Sequence, residues 1–323
     1  MQILNVVSGW LLSVALFAAG GFIVLGISGK YNLEKQAVSY AAQRKDAAAL
    51  AEPGDLEVLQ QEELWQDGET EPAWQAASAY RYKDAVLTFL LIGIGTKKEG
   101  AFPDMDAART EALALVVLDS HEKSVKLIPI RCDTMTRVGV YDKEGRYAGA
   151  VTAQIGVRHG FDTDIKTSCS YQVKAVQELF YGIPISGYLA ADMGVVREAA
   201  ELIEKMDAQK PQESTAQEEQ KGQAYRLAEF IGRGIRLLGK EPASALKIYH
   251  EISGRITTDI TADEAAYLAA IAGDYNLDAD GVVTISGKNA YEEENAESGC
   301  RGFIVDEDAL YRLVLDLFYE PVE

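Results

Sequence analysis

The chain has 323 residues, which suffices for one sizeable domain with an appendage or for two small domains. Its composition, 48% hydrophobic and 25% charged, is that of a globular protein. The excess of 50 acidic over 31 basic residues gives a net charge of −19, a field that repels phosphate backbones, so we expect no nucleic-acid partner. The few cysteines and histidines lack the spacing of a metal site: Cys132, Cys169, Cys300, His121, His159 and His250.

The first 30 residues form a predicted membrane anchor. Residues 5–29 carry no charged side chain, and about 20 apolar residues in a helix span a hydrocarbon core of ~30 Å. A cleaved signal peptide is the alternative, but no basic residue precedes the span and no convincing A-x-A cleavage site follows it. Basic residues follow the span instead, which by the positive-inside rule places the rest of the chain in the cytoplasm: Lys30, Lys35, Arg44 and Lys45.

Changes in composition divide the remaining chain. Residues 31–79, rich in Ala, Gln and Glu, are predicted to form a stalk that begins as a helix, and the main domain is predicted over 80–206. Residues 207–222 contain no large apolar side chain and are typical of a linker or exposed loop, since they cannot bury enough surface to repay ordering. Residues 223–323 are predicted to form a small, mainly helical extension.

Hydrophobic periodicity predicts an α/β fold. Three continuous apolar runs with β-branched members indicate strands buried on both faces, at 86–94, 112–118 and 125–130. Helical spacing and capping residues indicate helices at 173–180, 195–206, 224–238, 243–252, 263–272 and 306–318, with short strands at 187–190 and 282–285. Thr261, with Glu264 three residues later, predicts a capping box for the helix at 263–272. We therefore predict a mostly parallel or mixed sheet flanked by helices, preceded by one transmembrane helix.

Several segments, in this order, resemble one known family. They are YRYKDAVLTFLLIGIG (80–95), ARTEALALVVLD (108–119), KLIPIRCDTMTRV (126–138), TSCSYQVKAVQELFYGIPISGY (167–188), TTDITADEAAYL (257–268) and VDEDALYRLVLDLFY (305–319). Together they resemble the LytR–CpsA–Psr family of cell-envelope proteins, also called cell envelope-related transcriptional attenuators, and its clostridial members in particular. The resemblance covers about two thirds of the chain.

The resemblance implies a function at the cell envelope. Members of that family move a glycopolymer from a polyprenyl-pyrophosphate carrier onto peptidoglycan, or bind such lipids. It therefore implies a single-pass membrane protein whose domain lies outside the cytoplasm, against the positive-inside rule, with a lipid-linked glycopolymer and cell-wall material as partners. Such transfer depends on arginines that hold the pyrophosphate and on carboxylates that hold Mg²⁺.

The resemblance also assigns candidate site residues. Arg109 matches the arginine of the family's second strand and Asp133 matches the acid of its Arg-Asp-Thr segment, so these two are the candidate catalytic residues. Arg109 and Arg131 are the candidates for pyrophosphate binding, and Glu111 and Asp133 for Mg²⁺. Solvated surface charge is the alternative interpretation of Arg109 and Asp133.

The chain also departs from the family pattern. Gly95 stands where the first strand of the family ends in Asp, and Cys132 stands where an arginine precedes Asp133. Neighbouring Arg131 is a substitute, although on an extended segment it faces away from Cys132 and toward the side of Asp133. The Gly-Gly-Val and Arg-Tyr-Arg motifs are absent, and the segment 207–222 occupies their place.

These departures leave alternatives open. The chain is either a glycopolymer–peptidoglycan ligase with a degraded site or a non-catalytic, membrane-anchored protein that binds a polyprenyl lipid, a glycan or an envelope partner. Cys132 is either a reactive thiol or a small, half-buried residue. The apolar stripe of Val173, Val176 and Phe180 belongs either to the core or to the lining of a lipid cavity.

Overall fold

The computed structural model describes residues 28–41, 80–95, 109–141, 146–157, 164–206, 234, 251–275, 281–290 and 302–321. Most of the predicted membrane span, the predicted linker 207–222 and nearly all of the predicted helices at 224–238 and 243–252 lie outside these ranges. None of the helices within them is long and apolar enough to cross a membrane. The membrane anchor and the division into domains therefore stay predictions.

The strands are β1 (Tyr80–Tyr82), β2 (Val86–Ile94), β3 (Thr110–Asp119), β4 (Ser124–Ile130), β5 (Met135–Tyr141), β6 (Tyr147–Gln154), β7 (Gly187–Asp192), β8 (Ile256–Thr258), β9 (Gly287–Ala290), β10 (Gly302–Val305) and β11 (Tyr319–Pro321). The helices are α1 (residues 28–41), α2 (Ile165–Leu179), α3 (Met193–Met206), α4 (Ala262–Ile271) and α5 (Glu307–Phe318).

A five-stranded sheet in the order β4–β3–β2–β7–β8 forms the centre of the fold. Only the β2–β7 pair is parallel, and the β2–β3, β3–β4 and β7–β8 pairs are antiparallel. The sheet is therefore mixed. We predicted a mostly parallel or mixed sheet; the mixed sheet is confirmed, and the mostly parallel alternative is wrong. The reason lies in the connections: a tight turn joins β3 to β4, where the Asp119 carboxylate accepts hydrogen bonds from the backbone of His121 and Glu122.

Helices cover both faces of the sheet, as predicted. The side chains of β2 alternate between the faces: Leu90 and Ile92 pack with α2 and α5, whereas Leu87 and Phe89 pack with α1, α3 and α4. Because both faces are buried, β2 has a nearly continuous apolar sequence rather than an alternating one. The two faces thus form two apolar layers that share one sheet.

Most of the predicted elements within the described ranges are confirmed. The capping box predicted for α4 is present, with the Thr261 hydroxyl accepting from the Glu264 backbone and the Glu264 carboxylate accepting from the Thr261 backbone. The β5–β6 hairpin and the short strands β1, β9, β10 and β11 were not predicted. At 282–285 the structure has a single bridge, from Val282 to Leu127, instead of the predicted strand.

The part of the chain after residue 250 contributes strands as well as the predicted helices. β8 extends the central sheet beside β7, and β11 pairs with β1 near the start of the main domain. β10 pairs with β9, and its Thr134–Phe303 bridge links it to the loop after β4. The region predicted as a helical extension therefore supplies one strand of the central sheet and strands of two separate two-stranded sheets.

α1 packs closely against α4 and the sheet. Leu33 and Ala37 are fully or almost fully buried, and the Ser28 and Asn32 side chains donate hydrogen bonds to the Asp263 carboxylate. Residue 29 is glycine, and a β-carbon there would overlap the Asp263 carbonyl, so the approach of the two helices depends on its absence. The helix that begins the predicted stalk is thus docked on the domain.

We predict that Leu33→Ala lowers the free energy of unfolding by about 2–5 kcal/mol, because it empties a fully buried site. The matched control on the same helix is Val38→Ala, whose side chain is 55% exposed and whose loss should change stability by less than ~0.5 kcal/mol. Chemical denaturation of the full-length protein in mild detergent measures both. Equal stabilities of the two variants would contradict the docking of α1.

Candidate functional site

The candidate charged residues lie at one edge of the central sheet. β2 ends there at Gly95, β3 begins there after Arg109, and β4 ends there before Arg131. The backbone N–H of Gly95 donates to the Arg109 carbonyl at 2.9 Å, which closes the β2–β3 ladder at this edge. Antiparallel pairing brings the end of β2 and the start of β3 together, so residues far apart in sequence share one surface.

A β-bulge in β3 directs the Glu111 side chain. Gly93 pairs with Ala112 and Ile94 pairs with Thr110, so Glu111 is the extra residue on β3. A β-carbon at Gly95 would overlap the Glu111 carboxylate. The bulge therefore places an acid group from β3 over the position where an aspartate at the end of β2 would carry its own side chain. Glycine at residue 95 leaves room for it.

Cys132 lies among the other candidate residues. Its carbonyl accepts from the Gly156 backbone at 2.9 Å, and a β-carbon at Gly156 would lie 2.7 Å from the Cys132 β-carbon. Burial, and to a smaller extent the Asp133 and Glu111 carboxylates, raise the pKa of the Cys132 thiol to about 12, with the Arg109 guanidinium acting in the opposite direction. The structure thus brings Arg109, Glu111 and Asp133 around a neutral thiol.

Arg131 and Asp133 bind each other. The Arg131 Nε and Nη2 atoms donate to the two Asp133 carboxylate oxygens at 2.9 and 2.7 Å, which is the bidentate geometry of a guanidinium on a carboxylate. The guanidinium carbon also lies 4.5 Å from the centre of the Phe303 ring, and the Phe303 backbone donates to the Asp133 carbonyl. Both charged side chains are exposed enough that the pair adds at most about 1 kcal/mol.

A hydrogen bond orients Arg109. Its Nη2 donates to the Gln154 side-chain oxygen at 2.9 Å, at the end of β6. Because an amide oxygen is neutral, this bond directs the guanidinium without cancelling its charge. Beneath it, the Gln172 side chain accepts from the Thr110 hydroxyl and donates to the Ile155 carbonyl.

The sequence did not reveal all of these residues. Gln172 lies in the buried stripe of α2, where an amide in an otherwise apolar stripe is the kind of pattern that could have drawn attention to it. Phe303 is distant in sequence from Arg131, and no local pattern links them. Gln154 and Gly156 belong to a hairpin that was not predicted.

The residues do not fit the predicted Mg²⁺ as they are arranged. Among the residues that the structure describes, no group of three His, Cys, Asp or Glu side chains is placed to hold a metal ion. Both carboxylate oxygens of Asp133 accept from Arg131, and Cys132, beside Glu111, is a protonated thiol. An ion shared by Glu111 and Asp133 would compete with Arg131 for the Asp133 carboxylate.

No protein-family model matches this sequence, and no curated protein matches it. Solved structures do match it. The chain is similar to TagV from B. subtilis, with 18% identity over 73% of this chain and 96% of that chain and a TM-score of 0.51. It is also similar to protein gbs0355 from Streptococcus agalactiae, with 13% identity over 76% of this chain and 90% of that chain and a TM-score of 0.51.

These likenesses establish the fold. The chain is a mixed α/β protein with the same arrangement of sheet and helices as these structures. TagV belongs to the LytR–CpsA–Psr family, so the chain has the LytR–CpsA–Psr fold, and the family resemblance of the sequence is confirmed at that level.

The raised pKa of Cys132 favours the small, half-buried residue over the reactive thiol, and it predicts slow alkylation. A thiol with a pKa of about 12 is roughly one part in 10,000 thiolate at pH 8, so modification by iodoacetamide should be at least ~100-fold slower than for an exposed thiol.

The alkylation rate of Cys132 should rise with pH through pH 11. Asp133→Asn should raise it by lowering the pKa, whereas Asp84→Asn, an exposed change elsewhere, should not. Peptide mass spectrometry measures the rate, and rapid alkylation at pH 7 would contradict the assignment.

Proposed function

We propose that this chain is a single-pass protein of the cell envelope that binds the pyrophosphate group of a polyprenyl-linked glycopolymer outside the cytoplasmic membrane. The observation that carries the proposal is the sheet edge itself, where Arg109 comes just before β3 and acts electrostatically on Cys132, and Arg131 follows the neighbouring strand β4. Forked guanidinium groups suit phosphate oxygens, and two of them from adjacent strands suit a pyrophosphate. The LytR–CpsA–Psr fold supports the choice of ligand class.

The edge carries two arginines against two carboxylates, so its local charge opposes an anion less than the charge of the whole chain does. The net charge of −19 repels anions at long range, but that field is screened beyond about 8–10 Å at physiological salt. At the edge, Arg109 donates a hydrogen bond to the neutral Gln154 amide, so this partner does not offset the charge of the guanidinium. Arg131 is paired with Asp133, so a pyrophosphate binds it only by competing with that carboxylate.

Transfer to peptidoglycan is impaired in this proposal. Cys132, a neutral thiol, replaces the arginine that the family resemblance places there, so the positive charge on the leaving phosphate is smaller. Asp133 is engaged with Arg131 and does not serve as a ready metal ligand. These contacts favour binding over turnover. The first candidate function is therefore a ligase with an impaired site, and the second is a binding protein that has lost catalysis.

The proposed location depends on the anchor. α1 begins at residue 28, in the last residues of the predicted span, so the docked domain would sit immediately beside the membrane. A domain that works on cell-wall material belongs outside the cytoplasm, and we give this argument more weight than the four basic residues that follow the span.

Arg109→Ala tests the proposal. Loss of a charge-assisted contact of about 1.5–3 kcal/mol should weaken the affinity for inorganic pyrophosphate by roughly 10- to 150-fold, measured by titration calorimetry. The control is Arg312→Ala, an exposed arginine on α5. Any residual cleavage of polyprenyl pyrophosphate by the wild type should slow by about 30- to 1,000-fold in Arg109→Ala. The proposed site would be refuted if the wild type bound no pyrophosphate, or if Arg109→Ala left turnover unchanged.

Asp133→Asn separates the two roles available to Asp133. If the carboxylate mainly restrains Arg131, its removal frees the guanidinium, and pyrophosphate binding without metal should tighten by about 3- to 10-fold. If Asp133 holds Mg²⁺, the variant should instead lose whatever increase in affinity Mg²⁺ confers on the wild type. Titrations with and without Mg²⁺ decide between them, and we expect the first result.

A further inference from the structure

Gln172 is a fully buried amide beneath the candidate site. It lies on α2 with 0% exposure, among apolar residues of the core. Its side-chain oxygen accepts from the Thr110 hydroxyl at 3.2 Å, and its side-chain nitrogen donates to the Ile155 carbonyl at 3.2 Å. The amide therefore joins α2 to the start of β3 and to the turn that follows β6.

Both of these segments carry groups of the site. Thr110 lies between Arg109 and Glu111, at the bulge of β3. Ile155 follows Gln154, the partner of Arg109, and its backbone N–H donates to the Thr134 carbonyl at 2.8 Å, next to Asp133. Gln172 thus binds the residues next to both partners of the Arg109–Gln154 hydrogen bond. Through Ile155 it is also linked to the loop that bears Arg131 and Asp133.

The chemistry of the amide explains why it can do this. An amide offers a donor and an acceptor at once, which the Ile155 carbonyl and the Thr110 hydroxyl require together. Both partners are buried, so loss of the amide leaves polar groups without hydrogen bonds in a dry environment, where such losses are costly. An apolar side chain of similar size fills the same volume but releases both segments.

We propose that Gln172 is a positioning residue for the anion site, which it sets by holding the start of β3 and the turn after β6 in register. The identity of the ligand rests on the proposed function, whereas the effect of Gln172 on the direction of Arg109 does not. Through Gln172, the direction of the Arg109 guanidinium depends on the interior of the protein rather than on surface contacts alone.

Gln172→Met tests the proposal against a purely structural role. The control is Val176→Ala, a fully buried residue one turn further along the same face of α2, at a temperature where both variants are folded. Gln172→Met should weaken inorganic pyrophosphate binding by at least tenfold, and Val176→Ala should leave it within twofold of the wild type. A structural role alone would make both variants lose affinity in proportion to their stability.

Variants of Thr110 provide an independent test of the proposal. Thr110→Val removes the hydroxyl at nearly constant volume and should weaken binding, whereas Thr110→Ser keeps the hydroxyl and should bind like the wild type. Because Thr110→Val and Gln172→Met break the same bond, the double variant should lose little more affinity than Gln172→Met alone. Losses that multiply would show that the two residues act separately and would overturn the proposal.

A readout without ligand keeps this inference distinct from the proposed function. In arginine-labelled full-length protein, the side-chain NMR resonance of Arg109 should move toward the value of a free arginine in Gln172→Met and Thr110→Val, but not in Val176→Ala. An unchanged Arg109 resonance in Gln172→Met refutes the positioning role. If the wild type binds no pyrophosphate while the resonance moves as expected, the proposed function fails and the positioning role stands.

Discussion

The pairing of β2 with β3 is the interaction on which the rest of the structure depends. β2 is hydrogen-bonded on both edges and buried on both faces, so the two apolar layers, which between them contain the described helices α1–α5, share this strand. The same pairing contains the bulge at Glu111, and the bulge decides which side chain occupies the sheet edge. The stability of the fold and the chemistry of its edge are thus set by one ladder of hydrogen bonds.

The charged groups of the edge largely satisfy one another. Glu111 lies over Gly95, Asp133 holds Arg131, and Gln154 orients Arg109. Such an arrangement avoids uncompensated charge around a buried thiol, which would be unfavourable. It also means that a ligand must exchange partners with the protein rather than enter a vacant cluster of charges. This favours binding of modest affinity, with selectivity for ligands that can displace a carboxylate from a guanidinium.

Local patterns predicted much of the fold, and long-range geometry escaped them. The apolar run of β2 and the capping box at Thr261 are encoded within a few residues, so the sequence was enough to predict them. The bulge at Glu111 depends on how two strands register, and Phe303 reaches Arg131 only because β10 folds back onto the loop after β4. Gln172 shows the same limit: its type was visible in the sequence, but its partners belong to other elements.

The contribution of Phe303 has a consequence for the order of assembly. The ring that supports Arg131 comes from β10, and β11 near the end of the described chain pairs with β1. A chain that emerges from its amino terminus can form the β2–β3–β4 meander early, since those contacts are local. It can complete the proposed anion site only after Phe303 has been synthesised. A nascent or shortened chain that lacks β10 would present Arg131 without its aromatic support, so the proposed site would be complete only once β10 has folded back onto the loop after β4.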